Sequence, residues 1–146
     1  SKKVFCLALC AILLALNFPA QAQPKKVPRI GWLGADPQAP TRETFLQGLR
    51  DLGYVEGQSI LVEWRFAKNK PNQFPDLAAE LVRLKLDAIV ASNAAVVALK
   101  RATTTIPIVM ATYGGDPVAD GIVASFAKPG GNITGLTPLD PELIGK

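Results

Sequence analysis

Apolar positions recur between residues 29 and 137 at two alternating spacings, and the alternation predicts an α/β chain. Residues 29–34 form a short apolar run suited to a first strand. A helix is predicted from Thr41 to Gly53, with Phe45, Leu49 and Leu52 along one side and Gly53 as a left-handed cap. Gly48 within it costs about 1 kcal/mol relative to alanine, which predicts close packing against a sheet. From 59 to 66 the spacing becomes two. Ile60, Val62, Trp64 and Phe66 share one face, Leu61, Glu63 and Arg65 the other, and charge on the second face predicts an edge strand. Beyond the polar run 68–72, a second helix turns Leu77, Leu81 and Leu84 toward the core, with Ala78 and Val82 beside them. Residues 87–91 predict a buried third strand, and Ser92 with Asn93 caps a third helix over 94–102. The polar residues 103–105 then lead into a fourth strand.

The stretch from Ile106 to Thr137 reads as one strand, loop, helix, turn and strand. Ile108, Val109 and Met110 suit a strand buried on both faces. Asp116-Pro117 predicts a helix start, because a carboxylate can cap and proline needs no N–H at the first helical position. Lys128-Pro129-Gly130-Gly131-Asn132 stops that helix, and Ile133-Thr134-Gly135-Leu136 resumes an extended chain.

Strands separated by helices imply a doubly wound parallel sheet, and an edge position for the second strand fits the order 2-1-3-4-5. In such sheets ligands sit outside the carboxyl ends of the strands. Three loops converge there: residues 35–41 with Asp36, residues 92–94 with Ser92 and Asn93, and residues 112–116 with Thr112, Tyr113, Gly114, Gly115 and Asp116. Helix amino termini at Ser92-Asn93 and at Asp116 would offer N–H groups to a carboxylate, while Asp116 could accept from an ammonium. A zwitterion would suit this pairing. The same residue types also serve as plain caps, Asp36-Pro37 as a turn and Tyr113 as packing, so both roles stay open.

Composition narrows the chemistry. Histidine is absent from the 146 residues, so no Ser-His-Asp or Cys-His arrangement can be assembled within them, and a metal site would need carboxylates alone. Gly31-Trp32-Leu33-Gly34 lacks the third glycine of a dinucleotide fingerprint, and residues 130–135 lack the lysine of a phosphate loop. No cofactor is called for. Asp116 and Asp120, four apart on the predicted helix, read as a solvated face rather than an acid/base pair. Lys and Arg are scattered and not interleaved with aromatics, which predicts no nucleic-acid partner.

The amino terminus has the layout of a secretory signal peptide: Lys2-Lys3, an uncharged apolar run from Val4 to Leu16, then Ala20-Gln21-Ala22. That run is short of the roughly 20 residues needed to span a bilayer. Cys10 fits a lipoprotein signal poorly, because Leu9 before it is large and the apolar run continues past it. Cleavage after Ala22 is expected, leaving a mature chain without Cys6 or Cys10 and reducing the formal charge of +4 by two lysines. About 124 residues would remain, enough for one domain.

Four motifs carry a family resemblance: Leu52-Gly53-Tyr54-Val55-Glu56-Gly57-Gln58, Leu77-Ala78-Ala79-Glu80-Leu81-Val82-Arg83-Leu84, Thr105-Ile106-Pro107-Ile108-Val109, and Gly115-Asp116-Pro117-Val118 with Pro129-Gly130-Gly131-Asn132-Ile133-Thr134-Gly135. In this order, over about residues 29–146, the chain resembles ABC transporter substrate-binding proteins of the tryptophan/tyrosine-uptake type. The resemblance implies one lobe of a type I periplasmic binding protein fold and a small solute, such as an amino acid, held in an interlobe cleft. It also implies a periplasmic location and an ABC transporter permease as partner. Solute contacts carry over to Ser92-Asn93 and Gly114-Gly115-Asp116. The expected organisation is a leader over 1–22, an amino-terminal lobe over 23–137, and a crossover tail over 138–146 toward a second lobe that this sequence lacks. Two other readings stay open: an exported α/β enzyme whose catalytic residues lie on a missing half, and a sensor domain.

Overall fold

The computed structural model describes residues 26–136. The expected leader over 1–22, with Cys6 and Cys10, and the expected tail over 138–146 lie outside them. Five strands, β1 (Arg29–Gly34), β2 (Leu61–Phe66), β3 (Ala88–Ser92), β4 (Ile108–Thr112) and β5 (Ile133–Gly135), form one parallel sheet in the order β2-β1-β3-β4-β5. This is the order that the alternating charge on β2 predicts. Glu63 and Arg65 can stand on β2 because an edge strand has room beside it: Arg29 donates to Glu63 at 3.1 Å and Arg65 to Glu80 at 3.0 Å.

Three helices cover the sheet: α1 (Pro40–Asp51), α2 (Phe74–Arg83), entered through a single tight turn at Pro71–Gln73, and α3 (Ala94–Ala102). On one face Leu33, Ile89, Ile108 and Ile133 bury against Phe74, Ala78 and Leu81 of α2 and Ala95, Val96 and Leu99 of α3. Leu77 and Leu84 pack at the margin of this core, as their spacing predicts. On the other face Trp32 and Trp64 stand in register. Their ring centroids are 5.7 Å apart, and Phe45 of α1 lies 4.9 Å from Trp32. Such aromatic pairs contribute about 0.5–1.5 kcal/mol each beyond the area they bury.

The α1 expectation needs correction. Leu46, not Leu52, is its buried leucine, and Leu52 is 76% exposed. The reason is length: the helix ends at Asp51, and Gly53 at φ +82° turns the chain away, so the left-handed cap is as predicted but Leu52 already lies outside the periodic stretch. Gly48 is exposed, and a β-carbon there would meet nothing within 4 Å. Its helix cost is not offset by close packing.

A larger correction concerns residues 117–127, which form no helix. Asp116 does cap, its Oδ1 accepting from the N–H of Val118 at 2.9 Å and of Ala119 at 3.1 Å. Only one turn follows. Asp120 N–H donates to the Asp116 carbonyl, and Gly121 at φ +66° then ends the turn. Ile122 and Val123 fold back so that both N–H groups reach the Pro117 carbonyl and both side chains enter the core. Burying two branched side chains outweighs continuing a helix through Gly121, which burial of Val/Ile-sized groups at about 1.5–3 kcal/mol each makes reasonable. Lys100 of α3 clasps the turn by donating to the Gly121 carbonyl.

Candidate ligand-binding site

Because every strand is parallel, the carboxyl ends of β1, β3 and β4 lie along one edge of the sheet, and the three loops singled out from sequence leave from that edge. The loop after β1 is a local turn. Asp36 is half-buried, and its Oδ1 accepts the Gln38 N–H at 2.9 Å. This is the turn role anticipated as one of its two readings.

The loops after β3 and β4 are joined. Ser92 pairs with Thr112 across a register irregularity, and Asn93 N–H donates to the Thr112 carbonyl at 3.1 Å. The Asn93 side chain does not cap α3, contrary to expectation. Its Oδ1 reaches across to accept the Gly114 N–H at 2.9 Å. Backbone geometry explains the change. Asn93 has φ +50° and ψ −125°, a conformation that side chains rarely adopt, and this aims its carboxamide at the neighbouring loop instead of along its own helix. The α3 amino terminus therefore has no side-chain cap; the Val96 N–H goes to the Asn93 carbonyl at 3.0 Å, which leaves those of Ala94 and Ala95 for another acceptor.

Asp116 differs from expectation in the opposite sense. The N–H groups after it are not open to an anion, since Pro117 has none and those of Val118 and Ala119 go to the Asp116 carboxylate. Of the two anticipated anion-binding termini, only the one at Asn93 remains.

Tyr113 is buried, and its hydroxyl donates to Asp120 Oδ2 at 2.9 Å. Burial first, then the hydrogen bond to Asp120 and its negative charge, raise the phenol above its ordinary value of 10.0. Gly114 and Gly115 between them are exposed. A β-carbon on Gly115 would lie 2.5 Å from Asp120 Oδ2, so a side chain there would displace the carboxylate. Asp120 is the functional candidate that sequence reading passed over as helix solvation. The available signal was the run of glycines beside an aromatic that can donate, with an acid a few residues on.

What these parts offer is the uncapped first turn of α3, a carboxamide bridge, and two carboxylates of which Asp116 is already engaged by its own turn. A groove of about 390 Å³ between α2 and α3, lined by Phe74, Ala79, Val97, Ala98 and Arg101 among others, shares only Ala94 with the three loops. Among the described residues no three His, Cys, Asp or Glu side chains gather to hold a metal ion.

A family model described as ABC transporter substrate binding protein matches residues 32–146. The chain belongs to the ABC transporter substrate-binding protein family. A "Tyrosine-binding protein" of Clostridioides difficile (strain R20291) is 38% identical over 97 residues, which are 66% of this chain and 28% of that protein. Among solved structures, the ligand-free, open form of a substrate-binding protein with adhesive properties from Clostridium difficile superposes with a TM-score of 0.72 at 29% identity. It is matched over 80% of this chain and 41% of its own. A conserved domain protein from Vibrio cholerae gives 0.72 at 32% identity, over 82% and 43%. An ABC domain in complex with L-Trp from Streptococcus pneumonia gives 0.65 at 26%, over 75% and 38%. The chain thus spans less than half of each of these relatives, and its fold is that of one periplasmic binding protein lobe.

Proposed function

We propose that this member of the substrate-binding family contributes one wall of the solute site of an ABC importer's extracytoplasmic receptor, and that it holds its solute without transforming it. The observation that carries this reading is the bridge from Asn93 to Gly114, which fixes two loops at the carboxyl edge of a parallel sheet beside an uncapped helix terminus. Ser92, Asn93, Thr112, Tyr113, Gly114, Gly115 and Asp116 are the contacts on this wall, with Asp36 at its margin. The names of the tyrosine-binding relative and of the L-Trp complex support an amino acid as the solute class. In this reading residues 1–22 are a cleaved signal peptide, 23–137 the amino-terminal lobe and 138–146 a crossover to a second lobe. A membrane permease then recognises the closed receptor.

Closure of two lobes buries a solute on both sides, so one wall alone is an open shelf. A thermal-shift screen of the full-length protein against amino acids and organic acids tests the reading, since a ligand at a hundred times its Kd stabilises by about 2.7 kcal/mol. Shifts confined to one chemical class, with the solute recovered intact, are expected. Calorimetric titration should then give far weaker binding to the segment 23–146 than to the full-length protein. Solute turnover, or equal affinity in the two, overturns the two-lobe receptor.

A further inference from the structure

Asp120 is set apart from Asp116 by its surroundings. The Asp116 carboxylate is half-buried and engaged by two N–H groups of its own turn. Asp120 is exposed, yet its carboxylate folds back onto the β4 loop instead of extending into water. Its Oδ2 accepts the Tyr113 hydroxyl at 2.9 Å, and the same oxygen is the atom nearest to where a Gly115 β-carbon would stand. The carboxylate thus lies against the exposed Gly115, beside the Tyr113 ring. Tyr113 buries its ring in the core that α2, α3 and the sheet share, so the donor that orients Asp120 is itself fixed. One phenol bond leaves a carboxylate with three of its roughly four acceptor positions.

We propose that Asp120 is the group of this wall that receives a cationic part of the solute, an ammonium above all, and that Tyr113 is the positioning residue that holds it over Gly115. This rests on reading residues 92–94 and 112–116 as the solute wall. The uncapped α3 terminus at Asn93 then faces the anionic end of the same solute, so the wall reads both charges of an α-amino acid. Gly115 gains a reason as well. A side chain there would push the carboxylate off the loop and crowd Tyr113 Cε1, 3.1 Å from the same point, while glycine leaves the approach to Asp120 free of a β-carbon.

The test compares L-tyrosine and L-tryptophan with their des-amino acids, 3-(4-hydroxyphenyl)propionate and indole-3-propionate, by calorimetric titration of the full-length protein. Wild type should prefer each amino acid. Asp120→Asn, which keeps an acceptor for Tyr113, should lose roughly ten- to hundredfold in affinity for the amino acids and leave the des-amino acids unchanged, removing the preference. Tyr113→Phe should weaken the preference less, because the charge remains but is no longer held in place. Melting temperatures of both variants separate loss of fold from loss of recognition. An Asp120→Asn protein that discriminates like wild type overturns this inference alone, as does loss of discrimination in Asp116→Asn in its stead. Wild type that binds an amino acid and its des-amino analogue equally shows that no ammonium is read. Wild type that binds none of the four compounds overturns the amino-acid reading of the site together with this one.

Discussion

The carboxamide oxygen of Asn93 accepts the Gly114 N–H at 2.9 Å, so the residue at the mouth of α3 uses its side chain on the next strand's loop and not on its own helix. The bond links the exits of β3 and β4 at the point where their register slips.

Asn93 combines a strained backbone with a useful side chain. Replacing it by alanine keeps the strain and removes the bond, so Asn93→Ala should lose about 1–2 kcal/mol of stability. Asn93→Gly also loses the bond but relaxes φ +50°, and should lose less. Chemical denaturation of the pair gives the comparison, and an alanine variant as stable as the glycine one contradicts it.

Gly135 sits at φ +143°, where an added β-carbon would press on the Met110 backbone and come within 2.7 Å of Met110 Cβ. Gly135→Ala should therefore cost about 2–4 kcal/mol, through strain and the forced separation of β5 from β4. Urea unfolding measures the loss. Hydrogen exchange at Ile108 and Leu136, whose N–H groups reach the Asn132 and Met110 carbonyls, should accelerate first.

Tyr113 should make the protein sensitive to alkali. Its folded phenol titrates above the unfolded value of 10.0, so between those two values the native state holds a proton that the unfolded chain has released. Stability is thus unaffected below pH 10 and falls as pH rises beyond it. Tyr113→Phe should flatten that limb of the stability profile, and a profile identical to wild type would show that the phenol does not titrate as described.

Asp87 should act at the other end of the scale. Its carboxylate accepts the Arg29 backbone N–H at 2.8 Å and the Lys26 ammonium at 2.6 Å, which hold it below its ordinary value of 3.8, the backbone bond most strongly. A depressed folded value means the contribution is complete above the unfolded value and is lost as pH falls through the folded one. Stability measured from pH 5 downward should decline less steeply in Asp87→Asn than in wild type.

Much of the fold could be read from side-chain periodicity, because a parallel sheet makes simple demands. Ile89 and Ile108 suit strands covered on both faces, whereas Glu63 and Arg65 suit an edge strand, and that edge position fits the observed strand order. Local signals misled where two of them competed. Asp116-Pro117 carries the signals of a helix start and does cap one turn, but Gly121 lies only four residues beyond Pro117, and the burial of Ile122 and Val123 depends on the chain turning there. Asn93 stands where a cap belongs, and its position is that of a cap. Its dihedral angles, which no periodicity reveals, send the side chain elsewhere. Asp120 was hidden for the same reason: its proximity to Tyr113 depends on a turn that the sequence disguises as a helix.

The aromatic face has a practical consequence. Both tryptophans of the chain belong to one cluster with Phe45 and Phe66, Trp64 stacked at 7° on Phe66 with Arg42 4.6 Å above its ring. They lie on the α1 side of the sheet, while the loop glycines, Tyr113 and Asp120 are held by residues of the opposite core. Indole emission therefore reports whether α1 is seated on β1 and β2. It is an optical gauge of folding that stays dark to events at Gly114 and Gly115.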